Sequence, residues 1–339
     1  MIIEIKENTF KSNNFKGLNY LIQILTYKQR YELFVELAIV RYTGNYQKLD
    51  FDDQKVIEDS YNKIVQEGTT PKYFVSESNV DGNVFCIEEA IRFFNQPVSV
   101  ILENSLNDQR FLCAIIKHFD SAREVQRHLD NGWIQFENAG GCTNVINFIQ
   151  GKLHSFNNLS HRHNKDNRAY LRCFVLLDSD KEYPLAPTKP ELEKLLAFLN
   201  KNDIKSHILE KRCMENYMPD EVFNDIAYTA ELKKWFDAYH DLSNEQKDFL
   251  NIPDGFSSKN PDGTPKSTRN VLKRDVQDLY SDVSQPNYET LDRGFKMANF
   301  NTTFPRYFEH RQVDKLTLQS RCGNTNELQG ILNKIADLL

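Results

Sequence analysis

Apolar positions recur at two different intervals along this chain, and the change of interval divides it. From 1 to about 95 the interval is helical. Leu21, Ile22, Leu25, Phe34, Leu37 and Ala38 share one face of a pattern running from 18 to 40. The stretch 51–66 repeats that pattern with Asp50 or Asp52 as N-cap, and Gly68-Thr69-Thr70-Pro71 breaks it. A short helix over 87–94 follows Asp81-Gly82-Asn83. From Pro97 short, largely apolar stretches take over, at 98–102, 133–136, 171–177 and, half polar, 206–209. Such runs read as strands covered on both faces. Helical patterns follow the first three, up to Phe119, at 143–151 and at 191–200. Strand–helix alternation of this kind predicts a parallel sheet flanked by helices and joined by right-handed crossovers. After Pro219 helical spacing returns at 221–228, 230–239, 244–250 and 327–339, interrupted by a Gly, Pro and Ser loop over 253–265. No internal repeat or low-complexity tract is visible. The fold class expected is α/β, with a helical N-terminal region (1–95), a sheet domain (96–228) and a helical C-terminal region (229–339).

The chemistry sits where the strands stop. Six of the seven residues from Leu171 to Leu177 are apolar, and the run ends in Asp178-Ser179-Asp180. Side chains two residues apart on extended chain point the same way, so these two carboxylates repel each other unless a cation lies between them. In open α/β sheets the carboxyl ends of the strands are also where ligands bind. Glu103 ends the first strand and Glu215 lies just past the fourth. Acids at neighbouring strand ends converge in space although far apart in sequence. Hard oxygen donors suit Mg²⁺ or Mn²⁺, and such ions support in-line displacement at a phosphodiester. A solvated loop whose aspartates cap the next helix is the plainer alternative for 178–180.

These residues resemble a known family. The run Val98 to Glu103, the Asp178-Ser179-Asp180 turn and the late Glu215 resemble the TOPRIM domain shared by topoisomerases, primases and the overcoming-lysogenization-defect (OLD) nucleases. Arg212-Cys213-Met214-Glu215-Asn216-Tyr217-Met218-Pro219 is similar to an Arg-x-x-Glu-Asn-Tyr-x-Pro segment of TOPRIM nucleases in bacterial anti-phage systems. The resemblance covers roughly 97–225. It implies a TOPRIM-like sheet, with Mg²⁺ held by Glu103, Asp178 and Asp180, Glu215 as a further ligand, and a proton-transfer role for Glu103. It also implies a metal-dependent endonuclease acting on DNA, tRNA or other RNA. Chains of this kind work beside a separate ABC-type ATPase, and this one has no Gly-x-x-x-x-Gly-Lys-Ser/Thr segment of its own. Two departures stand out: Asn104 replaces the usual Gly after the first Glu, and Asp108 lies five residues after it rather than four. A catalytically degenerate TOPRIM subunit that only binds an ATPase assembly is therefore the competing reading. A phosphotransferase with an Asp178 nucleophile is a third, and the strands ahead of Asp178 count against it.

Composition narrows the setting. Of 339 residues, 40% are hydrophobic and 27% charged, and the formal net charge is -6. That describes a globular chain and argues against a nonspecific polycation. Six scattered cysteines without a C-x-x-C pair suggest reduced thiols in the cytoplasm. No apolar run spans a membrane, and the charged start Met1-Ile2-Ile3-Glu4-Ile5-Lys6 does not read as a signal peptide.

Several residues keep two readings. Lys211 and Arg212 could steady a scissile phosphate or balance Glu210, and Glu210 rivals Glu215 as a ligand. Lys181 could contact phosphate or form a surface ion pair. His154 and His161-Arg162-His163 suggest a metal, yet the stretch itself lacks a thiolate or carboxylate at a fitting spacing. Gly140-Gly141 could present N–H groups to a phosphate or make a tight turn. The basic stretch 266–274 (Lys266, Arg269, Lys273, Arg274) could track a nucleic-acid backbone or form a solvated helix face. Trp133 and Trp235 read as core.

Overall fold

The computed structural model describes residues 1–78, 82–256, 274–323 and 325–339. Within them lie two four-stranded sheets, every strand pair parallel, with helices on their faces. The first holds β1 (Ile2–Ile5), β2 (Glu32–Phe34), β3 (Tyr73–Val75) and β4 (Val84–Phe85) in the order β2-β1-β3-β4. The second holds β5 (Val98–Leu102), β6 (Ile134–Asn138), β7 (Cys173–Leu177) and β8 (Lys205–Ile208) in the order β6-β5-β7-β8. The chain therefore repeats one strand order twice.

The first sheet corrects the expectation of a purely helical N-terminal region. Its strands are only two to four residues long, too short to leave a period of their own between helices. The supposed single helical pattern over 18–40 is broken. A helix over Phe15–Thr26 ends in a turn where Lys28 and Gln29 adopt left-handed backbone (φ 51° and 56°), and the chain reverses into β2. The helices over Phe51–Glu67, capped by Asp50, and Ile87–Asn95 lie where the spacing puts them.

In the second sheet, alternation along the strands sorts the core onto two faces. Val98, Val100, Leu102, Phe174 and Leu176 pack with Phe111, Tyr217, Phe223, Trp235, Leu328 and Ile331. Ile101, Cys173, Val175 and Leu177 pack under the helices Cys142–His154 and Pro190–Lys201. Each large side chain removed from water here stabilises the fold by about 1.5–3 kcal/mol. The C-terminal region, helical among its described residues, thus covers one face of this sheet and shares its core. Trp133 and Trp235 are both buried. No helix of the described residues is long and apolar enough to cross a membrane.

Candidate metal centre at the edge of the second sheet

In the second sheet the chain leaves β5 for β6 on one side, then crosses to β7 on the other. The crevice between the carboxyl ends of β5 and β7 is the switch point at which open α/β sheets bind ligands. Glu103 follows β5 and Asp178 follows β7, so the two acids flank that crevice. The backbone N–H groups of Cys142 and Asp178 face the Glu103 carboxylate and favour its charged form. The Gly140-Gly141 turn makes this possible. Both glycines have positive φ (74° and 102°), and Gly141 N–H donates to the Glu103 carbonyl at 3.2 Å.

After Asp178 the backbone turns sharply. Asp180 is left-handed (φ 54°), and its N–H donates to the Arg212 carbonyl at 2.8 Å. The Ser179 hydroxyl donates to the Lys211 carbonyl at 2.7 Å. This lashes the β7 turn to the segment after β8, the segment that carries Glu215. Asp180 points outward and meets Lys189 Nζ at 2.8 Å.

Glu215 lies in a 3₁₀ turn, Met214–Tyr217, held from behind by its neighbours. The Asn216 amide donates to the carbonyls of Lys247 (2.8 Å) and Leu250 (2.9 Å). The Tyr217 hydroxyl donates to Glu327 Oε2 at 2.6 Å, and its ring packs 5.0 Å from that of Phe111. The Asn-Tyr of the motif is thus an anchor that fixes where Glu215 stands.

Asp108, whose spacing left its role open, also reaches the crevice. From the first turn of the Ser105–Phe119 helix its Oδ2 accepts the Asn104 N–H at 2.9 Å. The electrostatics tie the five acids into one group. Burial, followed by repulsion from Glu215, Asp108, Glu103 and Asp180, pushes the Asp178 carboxyl well above its usual range. Burial first, then Asp180, raises Glu103, against the two N–H donors and Lys189. Burial raises Asp108 to about 7, with Glu215 and Glu103 adding repulsion and the Asn104 N–H opposing. Glu215 is raised chiefly by burial and also by Asp180, against the Cys213 thiol and Arg212. Five carboxylates thus face two nearby cations, Lys189 and Arg212. The set is open: no three of these acids bring ligand atoms within 4.8 Å of one another. That suits an ion such as Mg²⁺, which keeps several waters and takes one or two carboxylates directly.

Comparison with protein-family models, curated proteins and solved structures finds no match to this chain.

Other sequence candidates lie elsewhere. Lys211 is buried, and its ammonium pairs with Asp248, which also accepts from Arg321 Nη1 at 2.6 Å. Glu210 belongs to the adjoining network, where its N–H donates to Glu327 Oε1 at 2.8 Å. Neither is brought to the crevice, because the backbone after β8 turns them toward the C-terminal helices while Arg212 stays beside Glu215. Lys181 follows the aspartate turn, its N–H donating to Ser179 Oγ at 3.3 Å. Arg162 pairs with Glu88 and His163 contacts Cys86, so the histidine-rich stretch packs on the first sheet's elements. His154 bonds Asn157, and His161 is exposed. Of the basic run, Lys266, Arg269 and Lys273 lie outside the described residues, as does 257–265 of the preceding loop, and Arg274 begins a helix. Lys189 is the site residue that sequence reasoning missed. Its only signal is its place just ahead of Pro190, where a helix starts near the aspartate turn.

Proposed function

We propose that this chain is a TOPRIM-type nuclease that uses Mg²⁺ or Mn²⁺ to cleave nucleic-acid phosphodiesters. The observation carrying this reading is the placement of Glu103 and Asp178 on either side of a sheet switch point, with Glu215, Asp108 and Asp180 near enough to help raise the Asp178 carboxyl. Uncompensated like charges in a recess destabilise a fold, and an all-oxygen donor set is matched by a hard divalent cation. Glu103, Asp178 and Asp180 would hold the ion, with Glu215 serving a second. Once bound, it supplies Lewis-acid stabilisation of phosphoryl charge and a more acidic water. The chain's own residues do the rest. Asp108, with its carboxyl near 7, is suited to hold or release a proton at neutral pH, a task the family resemblance gives to Glu103. Arg212 and Lys189 supply positive charge at the rim for an incoming phosphate. Lys211, held by Asp248, positions the segment instead of meeting substrate.

The test is single-turnover cleavage of labelled DNA and of total tRNA in Mg²⁺, Mn²⁺ and EDTA. Wild-type protein should cut at least one of them, and only with a divalent cation; Asp178→Asn and Glu103→Gln should abolish cutting while leaving the fold intact. Cleavage that persists in both variants refutes the assignment.

Two further parts of the proposal concern setting. The chain carries no ATP-binding loop of its own, and we infer a separate ABC-type ATPase partner in an anti-phage system, checked by co-purification with neighbouring gene products. All six cysteines are free, which suits the cytoplasm. A second reading, a degenerate subunit that only binds the ATPase, draws on Asn104 in the place of Gly and on the openness of the acid set. It predicts partner binding indifferent to Asp178→Asn and no cleavage under any cation.

A further inference from the structure

The histidine-rich stretch finds its missing donors in a distant segment. Cys86, which follows β4, and Glu89, in the first turn of the Ile87–Asn95 helix, stand against His163 at the end of the Asn157–His163 helix. One ligand atom from each residue lies within 4.8 Å of the other two. Cys86 Sγ is 3.8 Å from Nδ1 and 3.9 Å from Nε2 of the His163 ring.

We propose that Cys86, Glu89 and His163 form a zinc site that fastens the Asn157–His163 helix to the first sheet. Zinc bonds of about 2.3 Å to sulfur and 2.0–2.1 Å to nitrogen, at a tetrahedral angle, place the two donors roughly 3.5 Å apart. The observed separation closes to that with a shift of a few tenths of an ångström. A thiolate, an imidazole and a carboxylate match zinc and not magnesium, so this centre differs in kind from the acid crevice.

The surrounding groups orient the donors as outer-shell partners do. Glu88 Oε2 lies 3.8 Å from His163 Nε2, placed to draw the ring's N–H and leave Nδ1 for the metal. Fully buried Glu89 is fixed from both sides. Its Oε2 accepts the Cys86 N–H at 2.9 Å, and its Oε1 accepts the Tyr170 hydroxyl and pairs with Lys165 at 3.2 Å. Lys165 is itself held by the Val84 carbonyl at 2.6 Å. Loading the ion releases one proton, from the Cys86 thiol, to solvent. The thiolate then offsets one charge of zinc, the Glu89 carboxylate is shared between zinc and Lys165, and water completes the tetrahedron.

Purified full-length protein is stripped with chelator, incubated with excess Zn²⁺, desalted and assayed for metal. Wild type and Asp178→Asn should each retain about one zinc per chain, and Cys86→Ser and His163→Gln less than about a tenth of that. Cobalt loading should give wild type a near-ultraviolet thiolate-to-cobalt absorption that Cys86→Ser lacks. Should those variants fail to fold, the cobalt spectrum of wild type decides alone. The proposal is overturned if wild type keeps less than a tenth of an equivalent, if both substitutions retain as much zinc as wild type, or if no cobalt–thiolate band appears. None of these readouts depends on cleavage, so the zinc site and the nuclease reading fail separately.

Discussion

The two sheets of this protein share one strand order and differ in what stands at the same edge. β1 is followed by Lys6, whose ammonium bonds Glu4 at 2.6 Å, and β3 by Ser76, whose hydroxyl donates to the Ser78 carbonyl at 2.6 Å. β5 and β7 are followed by Glu103 and Asp178. The local sequences nearly rhyme: Glu7-Asn8-Thr9 follows the first strand of one sheet, Glu103-Asn104-Ser105 that of the other. Yet the first edge borders a cavity of about 610 Å³ in whose lining Glu4 bonds Lys6, and Asn8 bonds Ser76 and Ser78, beside Glu7 and Glu36. The second is a recess of mutually repelling acids. Topology supplies a crevice in both, and the residues at the strand ends decide whether it concentrates charge.

The largest expected difference between the edges is catalytic. Asp178→Asn should lower Mg²⁺-dependent cleavage by on the order of 10³-fold, as loss of several kcal/mol of charge stabilisation implies. Lys6→Met and Ser76→Ala, at the matching positions of the first sheet, should stay within about twofold of wild type, since surface changes of this kind act weakly. Equal losses at both edges in a single-turnover assay would break the comparison.

Next in size is the support behind each edge. Glu327 accepts from Tyr217 OH, from the Glu210 N–H and from His207 Nε2 at 2.8 Å, all on the segments that aim Glu215. Glu327→Ala leaves those buried groups without their acceptor and should destabilise the protein by about 3 kcal/mol. In the first sheet one comparable tie is the bond from Thr9 Oγ1 to the Val75 carbonyl at 3.0 Å, beside the Asn8 amide bonds to Ser76 and Ser78. Thr9→Val should cost about 1 kcal/mol. Urea unfolding of the two variants measures the gap, and equal losses would show that the C-terminal helices do not brace the acid edge.

How much of this was legible in the sequence follows from element length and from what fixes a side chain's direction. The strands of the second sheet are four or five residues long, and the two central ones, Val98–Leu102 and Cys173–Leu177, are mostly apolar, so their runs stood out and their ends led directly to Glu103 and Asp178. The first sheet's strands include Val84–Phe85, which no periodicity can reveal. Direction was the other blind spot. Glu210, Lys211 and Arg212 are consecutive, yet only Arg212 faces the acids, because Glu327 and Asp248, more than 30 residues away in sequence, hold the other two. Asp108 shows the reverse. Its spacing departed from the family pattern, but helical geometry bends it back to the Asn104 N–H and into the group.

The smallest effect is also the sharpest in sign, because burial of Asp108 and, after it, repulsion from Glu215 and Glu103 push its carboxyl the same way. Asp108 titrates near 7 in the folded chain, against 3.8 for an ordinary aspartate. Below about pH 4 the carboxyl is protonated in folded and unfolded chains alike and brings no penalty. Between roughly 4 and 7 the unfolded chain gives up the proton that the folded chain keeps, so stability falls as pH rises. Above about 7 the penalty is complete. Asp108→Asn keeps an oxygen for the Asn104 N–H and removes the charge, so its advantage over wild type should grow from near zero at pH 4 to about 1–2 kcal/mol at pH 8, the open recess screening the remainder. Saturating Mg²⁺ should erase most of that advantage by stabilising only the wild type, more at pH 8 than at pH 5, since protons compete with the ion. Ser76→Ala at the first edge should show a difference from wild type that is flat across the same range. An Asp108→Asn advantage that is flat or shrinks with rising pH would mean that neither burial nor the neighbouring acids burden the Asp108 charge, and that the two edges differ in composition but not in electrostatic cost.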